Sequence, residues 1–81
     1  SNDSLIEGFS FGPNPTRGNL KLRANENLDK ISIYDILGKE LINVNVNTKE
    51  KSLDLSSFSS GIYIAKVISG EKAQTFKIIK K

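Results

Sequence analysis

The chain has no cysteine, methionine, tryptophan or histidine, and only two prolines and six aromatic residues among its 81 positions. Without cysteine there is neither a disulfide nor a thiolate zinc site. Without histidine the usual general base near neutral pH and the usual nitrogen ligand for metals are missing, and serine or cysteine triads built on histidine fall with it. An enzyme would have to run on carboxylates, lysine or tyrosine, in a domain whose size leaves little room for a pocket. No apolar run approaches the ~20 residues of a membrane-spanning helix. Ser1–Gly8 has neither a basic start nor an apolar stretch, so no signal peptide is read there, and the leader of an exported parent would lie outside this piece. What remains, 37% hydrophobic and 26% charged, is the composition of one small folded domain that needs no cofactor.

The apolar residues recur at every second position, the spacing of strands. Leu20, Leu22 and Ala24 alternate with Asn19, Lys21 and Arg23; Ile31 and Ile33 with Lys30 and Ser32; Tyr63, Ala65 and Val67 with Ile62, Ile64 and Lys66. β-Branched residues dominate these runs, as pleated surfaces favour. Breakers separate them at 12–18, 25–27, 38, 48–51, 56–61 and 69–71. The pattern predicts an all-β fold of about seven antiparallel strands, near 6–11, 18–24, 29–35, 39–46, 51–55, 61–69 and 72–80, packed as a sandwich of two sheets. Residues 1–8 read as a linker, the end of an upstream region or a cloning scar, and 9–81 as the domain.

Four segments stand out. In Phe11-Gly12-Pro13-Asn14-Pro15-Thr16-Arg17-Gly18 both prolines fix φ, Asn14 can close a turn with its side chain, and Gly18 can adopt positive φ. The bland reading is a rigid connection between two strands; the functional one is a stiff loop that presents a preformed surface at low entropic cost. In Ile33-Tyr34-Asp35-Ile36-Leu37-Gly38-Lys39 a strand runs into a hairpin turn, with Asp35 placed to cap backbone amides and Gly38 to take positive φ. In Ser59-Ser60-Gly61-Ile62-Tyr63 a serine-rich crossover feeds a strand that is apolar on both faces, as a central strand would be, with Phe58 tucked over one end of the core. Phe76-Lys77-Ile78-Ile79-Lys80-Lys81 closes the chain. From Lys66 onward there are five lysines and one acid, against seven basic and eight acidic residues before it. The excess of positive charge therefore sits at one end. A solvated edge strand explains it blandly; a basic handle for an acidic partner explains it functionally. Nucleic acid is disfavoured, because aromatic residues are not interleaved with the charge. Asn25, Glu26, Asn27 and Asp29 lack the spacing and glycine of a calcium loop.

These blocks, in this order over Phe9–Lys81, resemble the type A C-terminal sorting domain of the type IX (Por) secretion system of Bacteroidetes-type bacteria. The matching positions are Pro13, Asn14, Pro15 and Gly18; Tyr34, Asp35, Gly38 and Lys39; Gly61 and Tyr63; and Lys77, Ile78, Ile79, Lys80 and Lys81. Gly12 stands where that family has an aromatic residue before its Pro-Asn-Pro, and Phe58 where it often has leucine. The resemblance implies an immunoglobulin-like sandwich at the end of an exported cargo protein. It also implies passage through the periplasm, recognition by the outer-membrane translocon, removal by a sortase-like protease, and a cargo that ends on the cell surface or in the medium. Such a domain is non-catalytic and does not insert into the membrane. The C-terminal strand and its lysines, as a free edge able to pair with a partner sheet, are the expected recognition element, and exposed edges also allow an edge-strand dimer. An adhesive or carbohydrate-binding β-sandwich is the alternative. It would need exposed aromatic platforms, and most of the six aromatic residues are required for the core.

Overall fold

A computed structural model describes residues 6–81; the first five positions of the expected linker lie outside the described residues. Five strands form one antiparallel, curled sheet: β1 (Ser10–Gly12), β2 (Asn19–Asp35), β3 (Glu40–Asp54), β4 (Gly61–Ser69) and β5 (Lys72–Lys80). Along the sheet the order is β1-β2-β4-β5, with β3 on the other edge of β2. The N-terminal half of β2 lies between β1 and the end of β3, and its C-terminal half between β4 and the start of β3.

The expected count of seven strands is corrected to five. The breaks foreseen at 25–27 and 48–51 are irregularities inside two long strands, because the β2–β3 ladder skips 24–27 and resumes at Leu28 opposite Thr48 with its register shifted. These bulges are what let one strand serve both halves of the sheet. Inward-facing residues of β2 are Leu20, Leu22, Ala24 and Leu28, then Ile31 and Ile33. The switch from even to odd numbers between Leu28 and Ile31 falls at a bulge, where the ladder shifts register, the opposite face turns inward and the strand bends. In β3 the half-buried residues Ile42, Val44 and Val46 give way to buried Leu53, followed by buried Leu55 just past the strand's end, with Asn47 at φ 50° near the bend. Both arms of the curl thus line a single core, completed by Tyr63, Ala65, Val67 and Ile78. Each large aliphatic side chain buried there contributes about 1.5–3 kcal/mol.

Ile6 is buried in the same core, its amide donates to Gln74 Oε1 at 3.1 Å, and the Glu7 amide donates to Glu26 Oε2 at 2.9 Å. Ile6–Gly8, expected as linker, therefore belong to the packed unit.

Candidate functional site

Gly12–Thr16 leave β1 and cross to the outer edge of β5. Two prolines cannot donate to a ladder, and the side chain between them does so instead. Asn14 Nδ2 donates to the Lys77 carbonyl at 3.2 Å, and its Oδ1 accepts from the Ile79 amide at 2.9 Å. Thr16 continues the contact: its amide donates to the Ile79 carbonyl, and its carbonyl accepts from the Lys81 amide, each at 2.8 Å. The result is a short parallel bridge between Thr16 and Lys80. Thr16 is fully buried, with its hydroxyl donating to the Asn19 carbonyl at 2.7 Å and accepting from the Gly18 amide at 3.1 Å. Gly18 does not take the positive φ expected of it. A side chain there would put its Cβ 3.2 Å from Ser56 Cβ, so close approach, and not φ, is what favours glycine.

The other blocks are built as locally. Asp35 Oδ1 accepts from the amides of Leu37 and Lys39, both at 2.9 Å, and closes the β2–β3 turn, in which Gly38 sits at φ 90°. Tyr63 is buried, its hydroxyl donates to the Ser59 carbonyl at 2.7 Å, and its ring lies 5.1 Å from that of Phe58. This ties the 56–60 crossover to the start of β4. Asp54 sits below the ordinary aspartate value because the Ser56 hydroxyl and amide hydrogen-bond its carboxylate.

Register brings these blocks together. Asp35 lies opposite Tyr63, Tyr63 opposite Ile78, Gly61 opposite Lys80, and Lys80 beside Thr16. Segments up to about 65 positions apart in sequence form one pole of the molecule, and all fifteen expected site residues lie at or beside it. Pro13, Asn14, Pro15, Gly38, Lys39, Gly61, Lys77, Ile79 and Lys81 are exposed there, Tyr34 and Asp35 are half-buried, and Gly18, Tyr63, Ile78 and Lys80 are buried.

Two expectations change at this pole. The β5 edge is not free over 77–81, because Asn14 and Thr16 occupy its outward amides and carbonyls. Lys80 is only 7% exposed and donates from Nζ to the Lys81 carbonyl, so it packs on the inner side as Ile78 does. Thr16, absent from the sequence-derived set, is central; its signal was a threonine two residues before a glycine, which invites a side-chain turn. Thr16→Val keeps the shape and removes both hydroxyl bonds, so it should cost about 1–3 kcal/mol in urea denaturation through the orphaned Gly18 amide and Asn19 carbonyl. An unchanged midpoint would refute this role.

The opposite pole carries the oxygen-rich cluster. Glu26 accepts from Lys72 Nζ at 2.9 Å and from Ser69 Oγ at 3.2 Å, and Asp29 accepts from the amide of Gly70, the glycine at φ 61° that opens the two-residue β4–β5 turn. These side chains hold the turn and the incoming segment at Glu7. The Lys72 hydrogen bond, followed by the Glu7 amide, holds Glu26 below the ordinary glutamate range, and Lys72 is raised by the same contact. A depressed carboxylate adds stability that is present at neutral pH and lost as pH falls through the acid range; a raised lysine adds stability that is lost as pH climbs past its folded value. No side-chain type with an ordinary value between these ranges is present, so the urea midpoint should be level from roughly pH 5.5 to 9 and fall on both sides. A step near pH 6–7 would contradict this.

The chain matches the family model described as secretion system C-terminal sorting domain over residues 11–81. It belongs to that family, the C-terminal sorting domains of the type IX secretion system. No curated protein matches the chain.

Proposed function

We propose that this domain directs an exported cargo protein from the periplasm through the outer-membrane type IX translocon. A sortase-like protease then removes it and leaves the cargo on the cell surface or released. Family membership supports the coarser reading, a C-terminal sorting signal on a secreted or cell-surface protein, in a family that is generally non-catalytic.

The observation that carries the finer reading is the gathering of four separated blocks at one pole while the chain enters at the other. β4 runs from Gly61 at the first pole to Ser69 at the second, nine residues that span roughly 25–30 Å. A cargo attached ahead of Ile6 therefore projects away from the motif pole and leaves it open to a receptor. Cleavage falls on the N-terminal side of Ile6, since Ile6–Gly8 are held in the fold. Pro13, Asn14, Pro15, Gly18, Asp35, Gly38, Gly61, Tyr63, Ile78 and Lys80 shape the pole, and Tyr34, Lys39, Lys77, Ile79 and Lys81 face outward from it. Nothing favours the carbohydrate-binding alternative: the six aromatic residues are all buried or half-buried.

The test is a periplasmic reporter fused to residues 1–81, expressed in a bacterium that has this secretion system and in the same strain lacking its translocon. Reporter should leave the cell only in the first. Equal distribution in both would refute the proposal.

A further inference from the structure

The same pole carries an apolar surface that the fold does not use. Ile36 and Leu37, at the tip of the β2–β3 turn, are 72% and 90% exposed. Ile62, Ile64 and Ile79 are also exposed and share the outer face, since their neighbours Tyr63, Ala65 and Ile78 point inward. Ile62 lies directly opposite Ile79, and Ile64 lies between Tyr34 and Lys77. The apolar residues thus run from the tip back along the sheet as one patch, and contiguous exposed patches of this kind mark interaction sites. Lysines surround it: Lys39 follows the tip, Lys77 stands beside Ile64, Lys66 is two positions along β4, and Lys81 is two positions beyond Ile79. None of the four is in an ion pair among the described residues. The nearby acids Asp35 and Glu40 keep their charge while accepting from backbone amides and from Asn43, so four lysines against two carboxylates leave the rim net positive.

We propose that this face, and not the β5 edge, is the docking surface for the secretion machinery, and that it seats in an apolar groove of a protein partner rimmed by carboxylates. The inference rests on the sorting reading above. Three features select this occupant. The lysine rim complements an acidic partner and would raise its encounter rate. A second copy docked face to face would bring two lysine rims together, which is unfavourable. A membrane surface would take only the protruding tip, whereas Ile62, Ile64 and Ile79 lie back on the sheet. The tip is also preorganised, because Asp35 fixes the loop through two amides, so docking orders little.

The experiment uses the reporter fusion with Ile36→Ser/Leu37→Ser and, separately, with Lys39→Glu/Lys77→Glu. The four side chains are exposed, so thermal midpoints of the purified domains should stay close to that of the parent. Each pair should lower the exported fraction about tenfold or more, the effect of losing part of an interface centre or of setting like charges across it. If the parent fusion is not exported at all, the sorting reading itself fails. If the parent is exported and both folded variants leave equally well, the docking face is refuted while the sorting reading stands. Sedimentation of the purified domain with vesicles of phosphatidylcholine and phosphatidylglycerol, lost in the serine pair, would assign the patch to a lipid surface and overturn the proposal. A concentration-dependent dimer abolished by the serine pair would assign it to a second copy and overturn it as well.

Discussion

Tyr63→Ala should destabilise the domain by about 3–5 kcal/mol, the range for truncating a buried large aromatic residue. A chain of this length has on the order of 4–12 kcal/mol in total, so the variant should be largely or partly unfolded at growth temperature. The site explains the size of the effect. The ring packs in the core and against Phe58, and the hydroxyl holds the Ser59 carbonyl. Tyr63 also lies opposite both Asp35 and Ile78, so two of the other blocks rest on it. Tyr63→Phe keeps the ring and gives up one hydrogen bond, at a cost of about 1 kcal/mol. Urea denaturation of the two variants separates packing from hydrogen bonding. A reporter fused to the phenylalanine variant should still be exported, and one fused to the alanine variant should not. An alanine variant that melts with the parent would show that Tyr63 is not core.

Ending the chain at Thr75 should abolish export and fold together. The six lost residues include buried Ile78 and the half-buried Phe76, whose ring stacks on Phe11 at 4.0 Å. They also hold every ladder partner of Asn14 and Thr16, and the partners of β4 from Gly61 to Ala65. Removal uncovers one edge of a central strand at the pole and leaves the Pro-Asn-Pro segment with nothing to grip. The truncated domain should lose the β-sheet signal in circular dichroism and the exported fraction of its fusion. Retention of both would show that the C-terminal block is dispensable. In the intact chain Lys80 contributes to this end from the inside, so replacing it should cost stability, whereas replacing exposed Lys81 should not.

Alternation made the all-β class and the inward residues visible, because a strand with one buried face repeats every two residues whatever its partner. The number of strands was not visible. Polar runs such as Asn25-Glu26-Asn27 look like loops in sequence, yet a bulge tolerates polar residues while the ladder resumes beyond it. Asp35 and the glycine of Gly70-Glu71 were readable as turn residues from local chemistry alone. The bond between Asn14 and β5 was not, since it joins positions more than 60 residues apart and depends on which edge the crossover reaches. Lys80 misled for a related reason: charge suggests solvent, but its place in the alternation with Ile78 points it inward. Ile36 and Leu37 gave a sign that was open to reading, two consecutive apolar residues in a turn that sequence preference fills with polar ones.

The most direct test of the sorting role is the share of a periplasmic reporter recovered outside the cell when it carries residues 1–81, compared with the same reporter carrying these residues in shuffled order. Both tails have the same length, composition and net charge, so only the order of the residues and the fold it specifies distinguish them. The expected result is export of the first and retention of the second. Export of both, or of neither, would contradict it.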